Sequence, residues 1–316
     1  MSLIGNRSEK MKYVLIGFLA LMTVVVSGQG RVSITIDDVP NTRYFAKDQY
    51  RSRLLDTLTT LDIPVAIFIN EGKLEHGDSL ASNKRLLERW VAHRNSTLGN
   101  HTYTHARCSE LSVDSFASEV ERGEAHTRIL AALSNKPLHH FRFPYNDLGA
   151  DSLQQQAFRQ HLASKGYRIS PYTVESSDYI YNAVYEYKLQ QGLIEDADRV
   201  AEKYITYTLR LFAFSDSVLM RTAGRTVDHI YLCHDNRLNA DHLARLTIAL
   251  AERKYQFISI EEALNDPFYD QGDTYYKKWG ISWVYRNISD ADSRKRFLQR
   301  EPLDEYIQRE FDALPK

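Results

Sequence analysis

His101 and His105 lie four residues apart in "LGNHTYTH", a spacing that brings two imidazoles onto one divalent metal when the chain makes a helical turn. The residue after the first histidine is Thr102, so the glutamate base of the zinc protease pattern is missing. A third ligand and a base must come from elsewhere. "TIDDVP" supplies two adjacent carboxylates, Asp37 and Asp38, at the end of an apolar run. Two neutral imidazoles and one carboxylate leave room for water and substrate, as a catalytic rather than a structural zinc requires. Asp38 completes such a set and leaves Asp37 beside it as the base. A metal lowers the pKa of its bound water toward ~7 and polarises a neighbouring carbonyl. Arg142 in "RFPY" is suited to orient Asp37. His234 in "YLCHD", oriented by Asp178 in "ESSDY", has the chemistry of an acid that protonates a leaving group. The backbone N–H of Tyr145 is a candidate to hold a developing oxyanion. The set describes hydrolysis of an amide or ester without a covalent intermediate.

Each of these residues also has an ordinary structural reading. Paired aspartates cap helices, two histidines can sit on a surface, "RFPY" can be a turn locked by proline, and His234 can end a buried strand. Their positions argue for more. Strand-like runs are expected at Arg31–Ile36, Pro64–Asn70, Ser96–Asn100, Leu138–Phe143, Tyr167–Val174, Asp228–His234 and Tyr255–Ile260. Amphipathic runs at Asp48–Leu61, Asn83–Arg94, Val113–Leu133 and Ala240–Lys254 alternate with them. That rhythm predicts a parallel sheet with covering helices, and about seven units favour closure into a barrel. Ligands in such folds gather beyond the C-terminal strand ends. Five of those ends carry the residues named above.

The rest of the chain bounds the class. Lys plus Arg is 40 and Asp plus Glu is 41, a net charge of -1 that gives no electrostatic reason for a nucleic acid partner. Cys108 and Cys233 allow at most one bridge, and burial as two small apolar side chains is the expectation. Met11 to Gly30 has the basic, apolar and small-residue order of a secretory signal, with cleavage near Gly28 or Gln29; translation from Met11 would make residues 1–10 an upstream extension. The expectation is therefore a signal peptide over 1–28, an exported periplasmic or extracellular product, and no stable membrane span after cleavage. Residues 29–264 read as one catalytic domain with a helical insertion near 182–222. Residues 265–316 read as an aromatic and charged C-terminal extension, whose Tyr275, Tyr276, Trp279, Trp283 and Tyr285 suit packing or a sugar-stacking platform. The stretch from Asp290 reads as a solvated helix.

In order along the chain, "TIDDVP", "HTYTH", "RFPY", "ESSDY" and "YLCHD" resemble the five motifs of the polysaccharide deacetylases, carbohydrate esterase family 4 with the NodB homology domain, over roughly Arg31 to Leu264. The resemblance implies a distorted (β/α) barrel of about seven parallel strands and a metal that is zinc or another divalent ion such as cobalt. It implies Asp37 as general base, Asp38, His101 and His105 as metal ligands, and Arg142 as the residue that steers the base. Tyr145 corresponds to the oxyanion donor, Asp178 to the partner of the acid and His234 to the acid. Leu232 corresponds to the lining of an acetyl-methyl pocket, with Tyr179 and Pro144 as further substrate contacts. Three positions depart from the pattern. Val39 stands for a glycine and is expected to narrow the space beside the metal, Tyr179 stands for a tryptophan, and Asn146 stands for a frequent glycine. The implied activity is hydrolytic removal of acetyl groups, N-acetyl first, from a polysaccharide or peptidoglycan by metal-bound water. Alternatives are a small amide or an O-acetyl ester on the same site, or a silent glycan-binding protein. The complete set of Asp37, Arg142 and His234 argues against the last.

Overall fold

A computed structural model describes residues 30–315 other than Tyr50, Asp78 and Trp279; the expected signal segment 1–28 and the aromatic Trp279 lie outside the described residues. Among the described residues eight parallel strands form the sheet: β1 (Arg31–Val39), β2 (Val65–Ile69), β3 (Ser96–Asn100), β4 (Leu138–Phe141), β5 (Arg168–Ile169), β6 (Val174–Glu175), β7 (His229–His234) and β8 (Gln256–Phe257). Their order is β5-β4-β3-β2-β1-β7-β6, with β8 paired to the first residues of β1 off this path. The seven-strand path curls into a distorted (β/α) barrel with helices outside it.

The expected single strand Tyr167–Val174 is instead two, β5 and β6, at opposite edges of the sheet. Pro171 lacks an N–H for a ladder, and the segment from Ser170 to Thr173 crosses the gap between the edges. Side chains stitch it down. The Arg142 guanidinium donates to the carbonyls of Ser170 (2.9 Å) and Pro171 (3.3 Å).

Strand alternation sorts the side chains into two layers. Val32, Ile34, Ile36, Ile67 and Leu98 join the large apolar core under the helices. Ala66, Phe68, Ile230 and Leu232 face the barrel interior, together with Tyr172. Ile260, Ala263 and Leu264 of the short helix Ile260–Leu264 join this inner cluster and plug the N-terminal mouth, just after Ile258 bonds to the Val32 carbonyl at 3.0 Å. Among the polar side chains of the interior, Thr35, Asp37 and Arg142 lie toward the other mouth.

The amphipathic run Val113–Leu133 is two helices, Val113–Arg122 and Ala125–Leu133. At the break a Cβ on Gly123 would come within 2.6 Å of the Thr102 backbone, so the missing side chain lets the helix end against the histidine-bearing loop. Helices Thr42–Lys47 and Ser152–Ser164 lie outside the expected runs.

The insertion is a helical hairpin, Asp178–Gln190 followed by the 29-residue helix Ile194–Thr222. A stripe through Val200, Tyr204, Leu211, Phe212 and Val218 is buried along its length. Phe212 packs on Tyr231 of β7 with ring centroids 5.5 Å apart. The extension packs through Trp283, which is buried with Val218, Leu219, Val227 and Phe268 and whose indole donates to the Phe268 carbonyl at 3.3 Å, whereas Tyr276 is exposed. The tail beyond Asp290 is two helices rather than one: Ala291–Leu298, largely exposed as expected, and Glu305–Asp312. The second docks through fully buried Ile307, and Lys188 and Lys203 of the hairpin pair with Glu310 and Asp304. Cys108 and Cys233 are both buried and unpaired. Among the described residues no helix is long and apolar enough to cross a membrane.

Candidate active site

Consecutive strand residues point to opposite faces, so adjacent Asp37 and Asp38 need a special backbone to serve one cleft. The β1–β2 register shifts between Ile36 and Val39, and Asp38 has a left-handed φ of 65°. This irregularity re-aims Asp38 and lets both carboxylates line the cleft. Asp37 sits opposite His234 in the β1–β7 ladder. Val39 is fully buried in the outer apolar core and pairs with Ile69, so the expected narrowing beside the metal ligands does not occur.

His101 and His105 do not use a helical turn. They lie on a loop after β3 in which Thr102 (φ 66°) and His105 (φ 60°) are left-handed. The His101 Nδ1–H donates to the Arg142 carbonyl at 2.8 Å, which leaves Nε2 as the lone-pair nitrogen. Nε2 of His105 is 3.5 Å from Oδ1 of Asp38. Zinc bonds of about 2.0–2.1 Å at a tetrahedral angle set donor atoms roughly 3.3–3.4 Å apart. Asp38, His101 and His105 offer ligand atoms all within 4.8 Å of one another, and Asp38 Oδ1 is buried without a hydrogen-bond partner. The two-nitrogen, one-oxygen set therefore fits a divalent ion of the zinc class. Burial holds His101 and His105 down at about 4, so both are neutral at neutral pH as ligation needs.

Asp37 is almost fully buried and bonded by Arg142 Nη1 at 2.8 Å. Burial pushes its pKa up, and the Arg142 charge opposes this. Arg142 is itself fixed on every side: Nη1 also donates to Thr35 Oγ1 at 2.6 Å, and the guanidinium lies 4.1 Å above the Phe68 ring. His234 Nδ1 faces Asp178 Oδ1 at 2.6 Å, leaving Nε2 for the cleft. Asp178 has no exposure, starts the helix Asp178–Gln190, and accepts from the His234 backbone N–H (2.9 Å), Asn236 (2.7 Å) and Asn239 (2.6 Å). Burial disfavours the imidazolium, but the Asp178 charge and hydrogen bond outweigh it and push His234 up to about 10.

Tyr145 lines the cleft in a left-handed conformation (φ 56°), with its ring edge-on to His105 at 4.5 Å and beneath Arg107 at 4.0 Å. Leu232 and Tyr179 also line it, and Tyr179 meets the His234 ring edge-on at 6.0 Å. Pro144 is buried, and the wall here is Tyr145 and Asn146. Asn146 is left-handed too (φ 49°), a conformation asparagine tolerates, and its amide donates to the Ile281 carbonyl at 2.7 Å. The cleft holds about 710 Å³.

Other lining residues were not singled out by sequence. Lys73 donates to the Asp38 carbonyl at 2.9 Å and lies 3.3 Å from Oδ1. It follows the end of β2 by four residues, a strand-end position of the same kind as the five considered. Glu175 of "ESSDY" reaches the cleft, where burial and then Asp178 push its pKa up to about 7. Gly280 of the extension lines the cleft too, and no local pattern marks it.

A parallel barrel carries, at its C-terminal mouth, an Asp-His-His cluster, a buried aspartate and an aspartate-held histidine, the group types that metal-assisted hydrolysis uses. Residues 25–169 match the family model described as polysaccharide deacetylase. Among solved structures the fold is similar to a family 4 carbohydrate esterase pseudoenzyme from Bacillus anthracis, at 18% identity and a TM-score of 0.51, over 76% of this chain and 66% of that one. A mutant of that pseudoenzyme with restored enzymatic activity aligns at 19% and 0.51, over 76% and 69%. A family 4 carbohydrate esterase from Streptomyces lividans aligns at 20% and 0.47, over 74% and 95%. No curated protein matches the sequence.

Proposed function

We propose that this protein is an exported, metal-dependent hydrolase that removes acetyl groups, N-acetyl in preference, from a polysaccharide or peptidoglycan. The observation that carries the reading is the joint presence, in one cleft, of the Asp38-His101-His105 donor set, Arg142-bound Asp37 and Asp178-bound His234. A divalent ion held by those three residues would supply Lewis-acid polarisation of the acetyl carbonyl and acidify water. Asp37 takes the proton from the attacking water, with Arg142 holding its carboxylate in place. The Tyr145 loop presents its backbone to the developing oxyanion. His234, protonated at neutral pH, gives its Nε2 proton to the leaving nitrogen. Leu232 and Tyr179 bound the space for the acetyl group and the sugar ring. The match of residues 25–169 to the polysaccharide deacetylase model supports a carbohydrate substrate. Export rests on the signal-like Met11–Gly30, and the mass of the mature protein from its host tests it.

Acetate release from chitooligosaccharides, peptidoglycan and acetylated xylan tests the activity. Asp37→Asn is expected to lower kcat by about 10²–10⁴ with metal content unchanged. Release by none of these polymers from protein carrying metal in the cleft would redirect the assignment to a small amide, and a cleft that binds no metal would point to glycan binding alone.

A further inference from the structure

We propose that His139, His140 and Glu261 form a second divalent metal site, of the mixed nitrogen and oxygen class that suits zinc, at the barrel mouth opposite the catalytic cleft. The three residues offer ligand atoms all within 4.8 Å of one another. His139 and His140 are adjacent in β4, where the β3–β4 register shifts between the pairs Leu98–Leu138 and Gly99–His140, so His139 is the extra residue of a bulge and its ring stays 4.6 Å from that of His140; Glu261 comes from the plug helix Ile260–Leu264. None of them lines the cleft.

His140 is the anchor. Its side chain is 1% exposed, and Nδ1 is 3.0 Å from the Ser170 hydroxyl. A bond donated from Nδ1 to that oxygen leaves Nε2 as the ligating nitrogen, the arrangement that fixes metal-bound histidines elsewhere. Nε2 is buried without a hydrogen-bond partner. It points at Glu261 Oε1 from 3.4 Å, close enough for attraction yet lacking hydrogen-bond alignment. That separation equals the roughly 3.3–3.4 Å expected between two donors on one tetrahedral zinc. The pair is thus spaced as ligands of a common cation.

The remaining contacts fit. Glu261 Oε2 receives the Thr97 hydroxyl at 3.4 Å, which orients the carboxylate. Glu261 is 42% exposed, so an ion has a route in from solvent. The His139 ring lies 4.6 Å from that of His140 and is partly exposed, free to adjust as the third ligand. Neighbouring Arg168 is engaged by the Leu264 carbonyl. Such a site would clamp β4 to the plug helix and hold the N-terminal mouth shut, a structural role independent of the reading of the cleft.

The test is zinc stoichiometry on full-length protein stripped with a chelator and dialysed against zinc, with cobalt absorption as a second probe. Wild type is expected to hold two equivalents. His139→Ala with Glu261→Gln should hold one, lose the zinc-dependent part of its thermal stabilisation, and keep the cobalt spectrum of the cleft. His101→Ala should lose the other equivalent and keep this one. Unchanged stoichiometry in the His139→Ala, Glu261→Gln variant overturns the proposal, as does a wild type that holds one equivalent lost wholly in His101→Ala. A wild type that holds one equivalent, lost only in the His139→Ala, Glu261→Gln variant, sustains it and removes the metal from the cleft instead.

Discussion

In the proposed reaction Asp37 and His234 would divide the proton chemistry, because their surroundings act in different senses. Asp37 is buried against one guanidinium, whereas His234 owes its charge to Asp178, which is fully buried and holds several donors. The sign of the pH effect follows. Its folded value of about 10 lies above the ordinary 6.5, so the protonated form is favoured in the folded protein. The stability from this pair is complete below about 6.5 and is lost as pH rises through about 10. Activity that needs the protonated acid should fall over the same alkaline range. Asp178→Asn removes the opposing charge and leaves burial to dominate, so the alkaline limb of kcat/KM should move down by about two or more pH units. A limb that stays in place would assign the acid to another group.

At the level of elements, the loops at the C-terminal mouth are held by segments distant in sequence. Gly280 touches the Tyr145 loop so closely that a Cβ would lie 2.1 Å from the Tyr145 carbonyl oxygen. Gly280→Ala must displace the Tyr145–Asn146 backbone, which the proposed reaction places at the oxyanion. A destabilisation of about 1–3 kcal/mol is expected, and a shift on the order of 1 Å would cost about 10²-fold in kcat. Thermal melts and initial rates read the two effects separately. The long helix Ile194–Thr222 reaches the site through a buried relay: the Tyr204 hydroxyl bonds to the Tyr231 hydroxyl at 2.8 Å and to Asn239 at 2.7 Å, and Asn239 in turn holds Asp178. Tyr204→Phe leaves those partners short of a bond, so denaturation should show a loss of about 1–3 kcal/mol. Full stability in this variant would mean that the relay is not part of what holds the hairpin to β7.

The molecule as a whole is more integrated than a catalytic domain with a tail. Ser282 donates to the Thr173 carbonyl at 2.6 Å, and the Trp283 N–H bonds to the Tyr172 carbonyl at 2.8 Å, so the extension clasps the segment that bridges β5 and β6. Trp283 and Phe268 also cover Val218, Leu219 and Val227. Truncation after Leu264 would expose that apolar surface and release the bridge. It should lower the thermal midpoint and abolish acetate release together; a truncated protein with unchanged melting would restore the picture of a separable extension.

Much of this organisation was legible in the chain. β3 follows the expected Ser96–Asn100, and the motif residues fall at strand ends because alternating apolar runs encode where strands stop and loops begin. The types and order of Asp37, Asp38, His101, His105, Arg142, Asp178 and His234 were sufficient to suggest a ligand set, a base and an acid. The number of units favours closure, but local pattern does not say which residues closure brings together. The bulge that turns Asp38 toward its neighbours, the split of Tyr167–Val174 across the two sheet edges, and the arrival of Lys73, Gly280 and Glu261 beside distant partners depend on how the curled sheet meets itself. Those contacts join residues far apart in sequence, and only packing the barrel brings them within bonding distance.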